Sequence, residues 1–184
     1  DLLKWAKLSR GGDQVIITTK LGQSIRFKES QVRAMGRTAS GVRAIRLKKN
    51  DEAAGFDIIK QDTDLRRPNT DQHGKGLSRS ASSQGESALL VVMANGFAKQ
   101  TPLKEYKVQS RGGSGIKTAK ITSKTGPLVS AHTVGEEKEI FALSQKGQMI
   151  RTSLESVRST GRSAQGVKII SLKAGDKVAG TVII

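Results

Sequence analysis

Basic residues recur in this chain at three fixed distances from a turn glycine. Gly22, Gly96 and Gly147 mark position 0 of three repeats, and the cations occupy positions +11, +15 and +21 of each repeat. Lysine and arginine bind anions, and the planar guanidinium group presents a fork of donors that matches phosphate oxygens. Cations in register on a repeated scaffold would form a stripe suited to a polyanion, and a merely solvated charged surface is the alternative at each position. The residues are Arg33, Lys107 and Arg158 at +11, Arg37, Arg111 and Arg162 at +15, and Arg43, Lys117 and Lys168 at +21.

Glycines accompany these cations. Position +19 is always glycine, at Gly41, Gly115 and Gly166, and the pair Gly112 and Gly113 follows Arg111. A glycine lets backbone N–H groups approach a phosphate without obstruction by Cβ. It can equally serve only to turn a tight corner, so both interpretations stay open. Less regular additions to this candidate anion-binding set are Arg26, Arg46, Lys120 and Arg151.

Composition also favours an anionic partner. The chain has 32 Lys and Arg against 16 Asp and Glu, a formal charge of +16 and a pI near 10.4, which attracts nucleic acid. No apolar run approaches the roughly 20 residues of a transmembrane helix, and no signal peptide opens the chain, so a membrane partner is disfavoured. The absence of cysteine fits a reducing compartment. Two isolated histidines, His73 and His132, cannot form a metal site, and we predict neither metal nor cofactor.

An enzymatic function is disfavoured because no nucleophile, base or metal cluster recurs. Tyr106 stands at +10, where the other repeats have Val32 and Val157, so we predict a core position for it. Aromatic residues make up 3% of the chain, too few for the stacking platform of a single-strand binder. A non-catalytic module that binds the backbone of duplex DNA is favoured. A propeller that serves as a protein-interaction platform is the alternative, but counterion release rewards cations at identical offsets directly.

Each repeat contains four apolar or β-branched runs. The first two flank the turn glycine and predict a β-hairpin, at 15–19 and 24–27, 88–93 and 97–101, and 139–144 and 148–152. A glycine-bearing loop, with single helical turns predicted within 103–108 and 154–157, leads to a third strand at 41–47, 115–121 and 166–172. A fourth strand follows at 53–59, 128–134 and 178–184. Four short strands in about 50 residues predict an all-β, propeller-like array of four-stranded antiparallel blades.

These repeats divide the chain into blades at 14–60, 88–137 and 138–184. Residues 61–87 are polar and almost free of large apolar side chains, so we predict an inserted, mobile loop. Its cations Arg66, Arg67, Lys75 and Arg79 are interpreted mainly as a solvated surface. Segment 2–8, within 1–13, is predicted to be a strand that completes a preceding blade, which makes the chain a piece of a longer array.

Three stretches, 24–47, 95–106 and 161–167, resemble the C-terminal repeats of the A subunit of bacterial DNA gyrase, and the related topoisomerase IV domain is a weaker match. The resemblance covers nearly all of the chain outside the insert. It implies a β-pinwheel, a propeller variant of about six blades that exchange strands, with these three as its last half. It further implies that duplex DNA wraps around a basic rim to serve strand passage and supercoiling in the bacterial cytoplasm, at the nucleoid. The implied partners are the gyrase B subunit, the rest of the A subunit, and DNA, with no membrane and no small-molecule substrate.

One loop departs from the family pattern. The family's signature heptapeptide has glutamine, two basic residues, two glycines, a basic residue and a glycine, and it lies in the first blade. The nearest match here is Gln109–Gly115, which keeps the glutamine and all three glycines but has Ser110 and Ser114 at two basic positions. We interpret it as the equivalent loop of a degenerate repeat. The resemblance therefore implies that this chain binds duplex DNA. It does not imply that the chain wraps DNA by itself, because the full signature is missing from it.

Overall fold

A computed structural model describes residues 2–61 and 87–184 of the chain. This part is all-β, with eleven strands and three single 3-10 turns, at Glu29–Gln31, Leu103–Glu105 and Leu154–Ser156. The strands are β1 (Gln14–Thr19), β2 (Gln23–Lys28), β3 (Ala53–Ile59), β4 (Ala88–Met93), β5 (Phe97–Pro102), β6 (Ile116–Lys117), β7 (Leu128–Val134), β8 (Glu139–Ser144), β9 (Met149–Ser153), β10 (Val167–Lys168) and β11 (Val178–Ile183).

The predicted hairpins are confirmed in all three repeats as β1–β2, β4–β5 and β8–β9. The turn glycines Gly22, Gly96 and Gly147 have φ of +78°, +83° and +82°. Glycine occupies this left-handed region without the steric penalty of a Cβ atom. The fourth strand of each repeat, β3, β7 or β11, pairs antiparallel with the first strand of the same repeat.

Neighbouring repeats exchange their third strand, as the resemblance implied. The sheet orders are β3-β1-β2-β6, β10-β5-β4-β7 and β11-β8-β9. Strand β6 belongs to the second repeat in sequence but pairs with β2 of the first, through Gln23↔Lys117 and Ser24↔Ile116. In the same way β10 of the third repeat pairs with β5 of the second. The first two sheets therefore have four strands, and the third has three, since no described residue pairs with the outer edge of β9.

Two predicted strands are absent. Residues 41–47 form no strand, and the predictions at 115–121 and 166–172 shorten to the two-residue β6 and β10. A strand needs a hydrogen-bonded neighbour, and the described chain offers 41–47 no preceding hairpin. Segment 2–8 is also not a strand: Lys4 and Lys7 attach it by side chain only, to the Ala53 carbonyl at 3.4 Å and to Asp57 at 2.6 Å. All of the predicted insert except its two end residues lies outside the described residues.

The core lies between stacked sheets. All six residues of β4 are buried, because the second sheet is covered on both faces. One cluster, which includes Ile16, Leu89 and Tyr106, fills the space towards the first sheet, and another, around Leu90 and Ile140, fills the space towards the third. Each fully buried aliphatic side chain contributes about 1.5–3 kcal/mol. Strands β3, β7 and β11 pack side by side at one edge of the three sheets, so β6 and β10 form the opposite, outer edge.

Candidate nucleic-acid interface

The +21 cations lie on the outermost strands. Lys117 ends β6 and Lys168 ends β10, and both side chains are exposed while the preceding Ile116 and Val167 turn partly inward. Arg43 holds the same position in the first repeat and is also exposed. Within residues 2–61 and 87–184, none of these three side chains has a hydrogen bond or an ion pair. Arg46 and Lys120, at +24, are equally exposed and unpaired within those ranges.

The +11 cations reach the same outer edge by another route. Arg33, Lys107 and Arg158 are exposed, and each lies just beyond a 3-10 turn. After Lys107 and Arg158, the next residue forms a parallel bridge to the outer hairpin strand of the preceding repeat, Val108 with Arg26 and Ser159 with Gln100. The +11 side chains also have no partner in the part of the chain that the structure describes. At the two junctions between repeats, positions +11 and +21 therefore place free cations next to two segments that lie along the same outer edge of the hairpin strand.

The +15 arginines are anchored at both junctions between repeats. Arg111 donates from Nη1 to the backbone oxygen of Arg43, and from Nε to the Gln31 oxygen at 3.2 Å. Arg162 donates from Nη1 to the Lys117 oxygen at 3.3 Å and lies 3.9 Å from the Glu105 carboxylate. Each guanidinium thus lies beside the +21 cation of the preceding repeat. The sequence predicted Arg111 and Arg162 as members of the cation stripe, and the structure shows in addition that their hydrogen bonds hold their loops in place.

Arg37 is the exception at position +15. It is exposed and has no partner among the described residues. The described chain has no repeat ahead of it whose carbonyl groups could accept a hydrogen bond from its guanidinium.

Arg26 is a brace between repeats, which corrects its prediction as a phosphate ligand. Its Nε donates to Gln14 at 2.6 Å and its Nη1 to the carbonyl oxygens of Leu103 at 2.8 Å and Tyr106 at 3.2 Å. Burial lowers the pKa of this guanidinium below its usual range. Gln100, at the same +4 position of the second repeat, donates in the same way to the Leu154 oxygen at 2.6 Å and the Val157 oxygen at 3.2 Å.

Arg151 completes this series at +4. It has no following repeat to bind in the described chain, and its guanidinium pairs instead with Glu139 and lies 5.6 Å from the Phe141 ring centre. The hydrogen bond from Arg151 to Glu139 raises the pKa of the guanidinium.

Two of the +19 glycines serve packing. Gly115 and Gly166 have φ of +70° and +84°, and a Cβ on them would lie 2.4 Å from the Ser24 oxygen and 2.3 Å from the Ala98 oxygen. Only glycine allows the exchanged strand to approach the preceding hairpin this closely. Tight packing, one of the two interpretations, therefore applies at these two positions. Gly41 has a similar φ of +79° with nothing within 4 Å.

Gly112 and Gly113 are also engaged within the fold. The Gly112 N–H donates to the Ala44 oxygen at 2.7 Å, and the Gly113 oxygen accepts from the Arg46 N–H at 2.8 Å. These hydrogen bonds join the loop of the second repeat to the first. The Gly112 N–H is therefore not free to receive a phosphate.

Sequence reasoning missed Lys99, a fully buried lysine. Its Nζ donates to the Gly161 oxygen at 2.8 Å and the Arg162 oxygen at 2.7 Å, which fixes the loop of the third repeat on the second. Burial lowers the pKa of Lys99 to about 8. The available signal was a lysine at +3, where the other repeats have Ile25 and Ile150.

Comparison with known proteins identifies the family. The DNA gyrase C-terminal domain family, described as a beta-propeller, matches residues 13–60, 89–134 and 138–184. The chain belongs to this family. It is 35% identical over 179 residues to the DNA gyrase A subunit of Staphylococcus epidermidis strain ATCC 12228 and 35% identical over 182 residues to that of Staphylococcus aureus strain NCTC 8325. These alignments cover 97% and 99% of the chain but 18% of each relative.

Solved structures share the fold. A DNA gyrase A C-terminal domain superposes with a TM-score of 0.74 at 23% identity, over 92% of this chain and 50% of that one. The C-terminal domain of a DNA topoisomerase IV superposes with a TM-score of 0.77 at 16% identity, over 95% of this chain and 47% of that one. At these identities the likeness shows the fold alone.

The signature-like loop of this family member, Gln109–Gly115, is bound to the first repeat. The Gln109 N–H donates to the Arg26 oxygen at 2.7 Å, and the Arg111 N–H donates to Gln31 Oε1 at 2.7 Å. Together with the Gly112 hydrogen bond, these contacts make the loop part of the junction between repeats. The backbone of this signature-like loop therefore has a structural role here.

Tyr106 and His132 occupy structural positions. The Tyr106 hydroxyl lies 2.6 Å from Thr118 Oγ1 in the core, as predicted from its apolar repeat position. His132 lies on β7 with Nε2 3.0 Å from Thr181 Oγ1, and burial lowers its pKa. His73 lies outside the described residues.

Across the described ranges, no cluster of three potential ligand residues is placed to hold a metal ion, and no helix has the length and apolarity to cross a membrane.

Proposed function

We propose that this chain is a non-catalytic module that binds duplex DNA along its outer edge and bends it. One observation carries the proposal: the cations at +11 and +21 are exposed and, among the described residues, unpartnered in all three repeats. The retained series is Arg33, Arg43, Lys107, Lys117, Arg158 and Lys168, with Arg37, Arg46 and Lys120 as neighbours and with Arg111 and Arg162 contributing charge from anchored positions.

Phosphate contact explains why these positions are basic without serving the fold. A duplex presents a regular array of phosphates, and each cation that neutralises one releases condensed counterions. Smooth bending of a 20–30 base-pair site costs on the order of 1–6 kcal/mol, which several such contacts offset. Because the cations meet the backbone rather than base edges, sequence preference is expected to come only from DNA deformability.

The proposed role within a whole topoisomerase rests on the relatives that the chain matches. The chain corresponds to 18% of the length of the gyrase A subunits that it matches, so the activity of a whole protein is part of the proposal. In that setting the module presents a DNA segment for strand passage by an ATP-dependent type II topoisomerase. It joins the remainder of the A subunit, through which it meets the gyrase B subunit, in the bacterial cytoplasm and in association with the nucleoid.

Binding and wrapping are separable by experiment. Affinity for linear duplexes of unrelated sequence, titrated with salt, should fall steeply with log[salt] and differ little between sequences. A second assay incubates the chain with relaxed circular DNA and a nicking-closing enzyme, then measures the linking number. A shift in linking number shows wrapping, while salt-dependent affinity without a shift restricts the function to binding and bending. Salt-independent or absent duplex binding would refute the proposal.

A further inference from the structure

A basic cavity lies at the junction between the second and third repeats. It has a volume of about 470 Å³, and its lining includes Phe97 and Leu172 together with four lysines. The lysines are Lys124 from the turn before β7, Lys168 at the end of β10, and Lys173 and Lys177 from the turn before β11. Three separate segments thus contribute lysines to the lining of one half-apolar cavity.

The positive charge of this cavity is not fully neutralised from within the described part of the fold. Lys168, Lys173 and Lys177 have no side-chain hydrogen bond or ion pair with any described residue, and Lys124 Nζ lies 5.6 Å from the Phe97 ring centre. Asp176 is the one carboxylate among the described lining residues. A hydrogen bond from Ser144 and the N–H groups of Lys177 and Lys146 hold its pKa below its usual range, so it stays ionised and offsets one of the four lysine charges.

Two lysines of the cavity are not by-products of the repeat. Lys177 corresponds to Pro127 of the preceding repeat, because its carbonyl oxygen accepts from the Gln145 N–H as that of Pro127 accepts from the Ala94 N–H. Counted back from these residues, the junction between the first and second repeats has Ser123 in place of Lys173 and Lys49 in place of Lys124. Lysines at +21 and in the turn before the fourth strand therefore occur at both junctions, whereas Lys173 and Lys177 are particular to this one.

We propose that this cavity binds a group of closely spaced phosphates. Four lysines and one carboxylate in the lining of one volume favour a ligand with several negative charges close together, and the lysines supply rotatable donors for phosphate oxygens. Such phosphates occur in a free oligophosphate and in consecutive nucleotides of a DNA strand that continues from the outer edge over Lys168. Only the second source depends on the proposed DNA-binding function.

The primary test uses inorganic tripolyphosphate and the whole 184-residue chain. The variant carries Lys124→Gln, Lys173→Gln and Lys177→Gln and leaves Lys168 in place. A matched control carries Lys48→Gln, Lys49→Gln and Lys138→Gln, which removes the same charge from exposed lysines outside the cavity. Calorimetry should show roughly tenfold weaker tripolyphosphate binding in the cavity variant and a change of about twofold or less in the control. Absence of binding to the unmodified chain, or equal losses in both variants, would overturn the proposal.

A second arm identifies the source of the phosphates. If a DNA strand enters the cavity, the cavity variant should reduce the salt slope of duplex binding by up to about 0.9 per lysine removed, and the control should not. An unchanged duplex slope together with lost tripolyphosphate binding supports the site and assigns it to a free oligophosphate. If the unmodified chain binds tripolyphosphate but no duplex, the proposed DNA-binding function fails while the phosphate site stands.

Discussion

The loop of the first repeat and those of the second and third carry the same residue types and use them differently. In the later repeats, Arg111 and Arg162 hold backbone carbonyls of the preceding repeat, and Gly115 and Gly166 lie against its hairpin. In the first repeat, residues 32–47 are mostly exposed, and Arg37 and Gly41 contact nothing comparable among the described residues.

This difference separates two reasons for a residue type to recur. Positions +15 and +19 recur where they build the junction between repeats. Positions +11 and +21 remain basic although their side chains have no partner in any of the three described repeats. The second group is therefore the better measure of what the chain binds.

The largest expected effect comes from filling the space at a junction glycine. Gly166→Ala combines an unfavourable positive φ with a Cβ placed 2.3 Å from the Ala98 oxygen, so we expect a loss of about 3 kcal/mol in the free energy of unfolding. Gly41→Ala has open space around it and should lose about 1 kcal/mol. Urea denaturation of both variants measures the difference, and equal losses would show that +19 has no special role at the junction.

Lys99 should make the third-repeat junction sensitive to pH. Its pKa is about 8 in the folded chain and an ordinary 10.5 when unfolded, so between these values the unfolded state holds the extra proton and stability rises with pH. The full pKa shift of Lys99 corresponds to a rise of about 3 kcal/mol in the free energy of unfolding over this interval. The neighbouring Glu105 and Arg162 act on this pKa in opposite directions.

The measurement is the unfolding free energy of the unmodified chain relative to Lys99→Met at several pH values. Other groups, including Tyr106 whose pKa burial raises, are present in both proteins and cancel in the difference. The free energy of unfolding of the unmodified chain should rise relative to that of the variant between the folded and unfolded pKa values of Lys99, about 8 and 10.5. The difference between the two proteins should stay constant between about pH 6 and pH 7. Parallel curves throughout would mean that Lys99 is not held in the folded chain with a lowered pKa.

A smaller effect distinguishes anchored from free arginines. Arg162→Gln removes the hydrogen bond to the Lys117 oxygen and weakens the contact with Glu105, so we expect a loss of about 1 kcal/mol. Arg37→Gln removes a solvated side chain and should change stability by about 0.5 kcal/mol or less. Thermal unfolding at constant pH and salt compares them, and an equally destabilised Arg37→Gln would remove the contrast between the repeats.

Much of the fold could be predicted because its signals are local. The turn glycines fix the hairpins, and alternating or continuous apolar runs fix strands such as β4 and β7, whose predicted bounds agree with the structure. The 3-10 turns at Leu103–Glu105 and Leu154–Ser156 fall where single helical turns were predicted. Segments 2–8 and 41–47 have the same kind of sequence but no hairpin strand to pair with in the described chain, and a local pattern does not report whether such a strand exists.

The candidate site was predictable only in part for a similar reason. The exposed +11 and +21 cations follow directly from the repeat. The brace formed by Arg26, the anchoring of Arg111 and the burial of Lys99 all depend on which residue of the next or preceding repeat faces them. Exceptions to the repeat pattern, such as a lysine at an apolar position, are the sequence signals that point to these contacts.

The most direct test of the central claim is the salt dependence of duplex binding after the +21 cations are removed together. The variant Arg43→Gln, Lys117→Gln and Lys168→Gln should fold normally, since these side chains have no partner in the described chain, and its log-log salt slope should be flatter by about 2.7, or about 0.9 per lost contact. The variant Lys48→Gln, Lys49→Gln and Lys138→Gln loses the same charge and should keep the slope. A folded +21 variant whose slope equals that of the unmodified chain would contradict the claim that these exposed cations meet DNA phosphates.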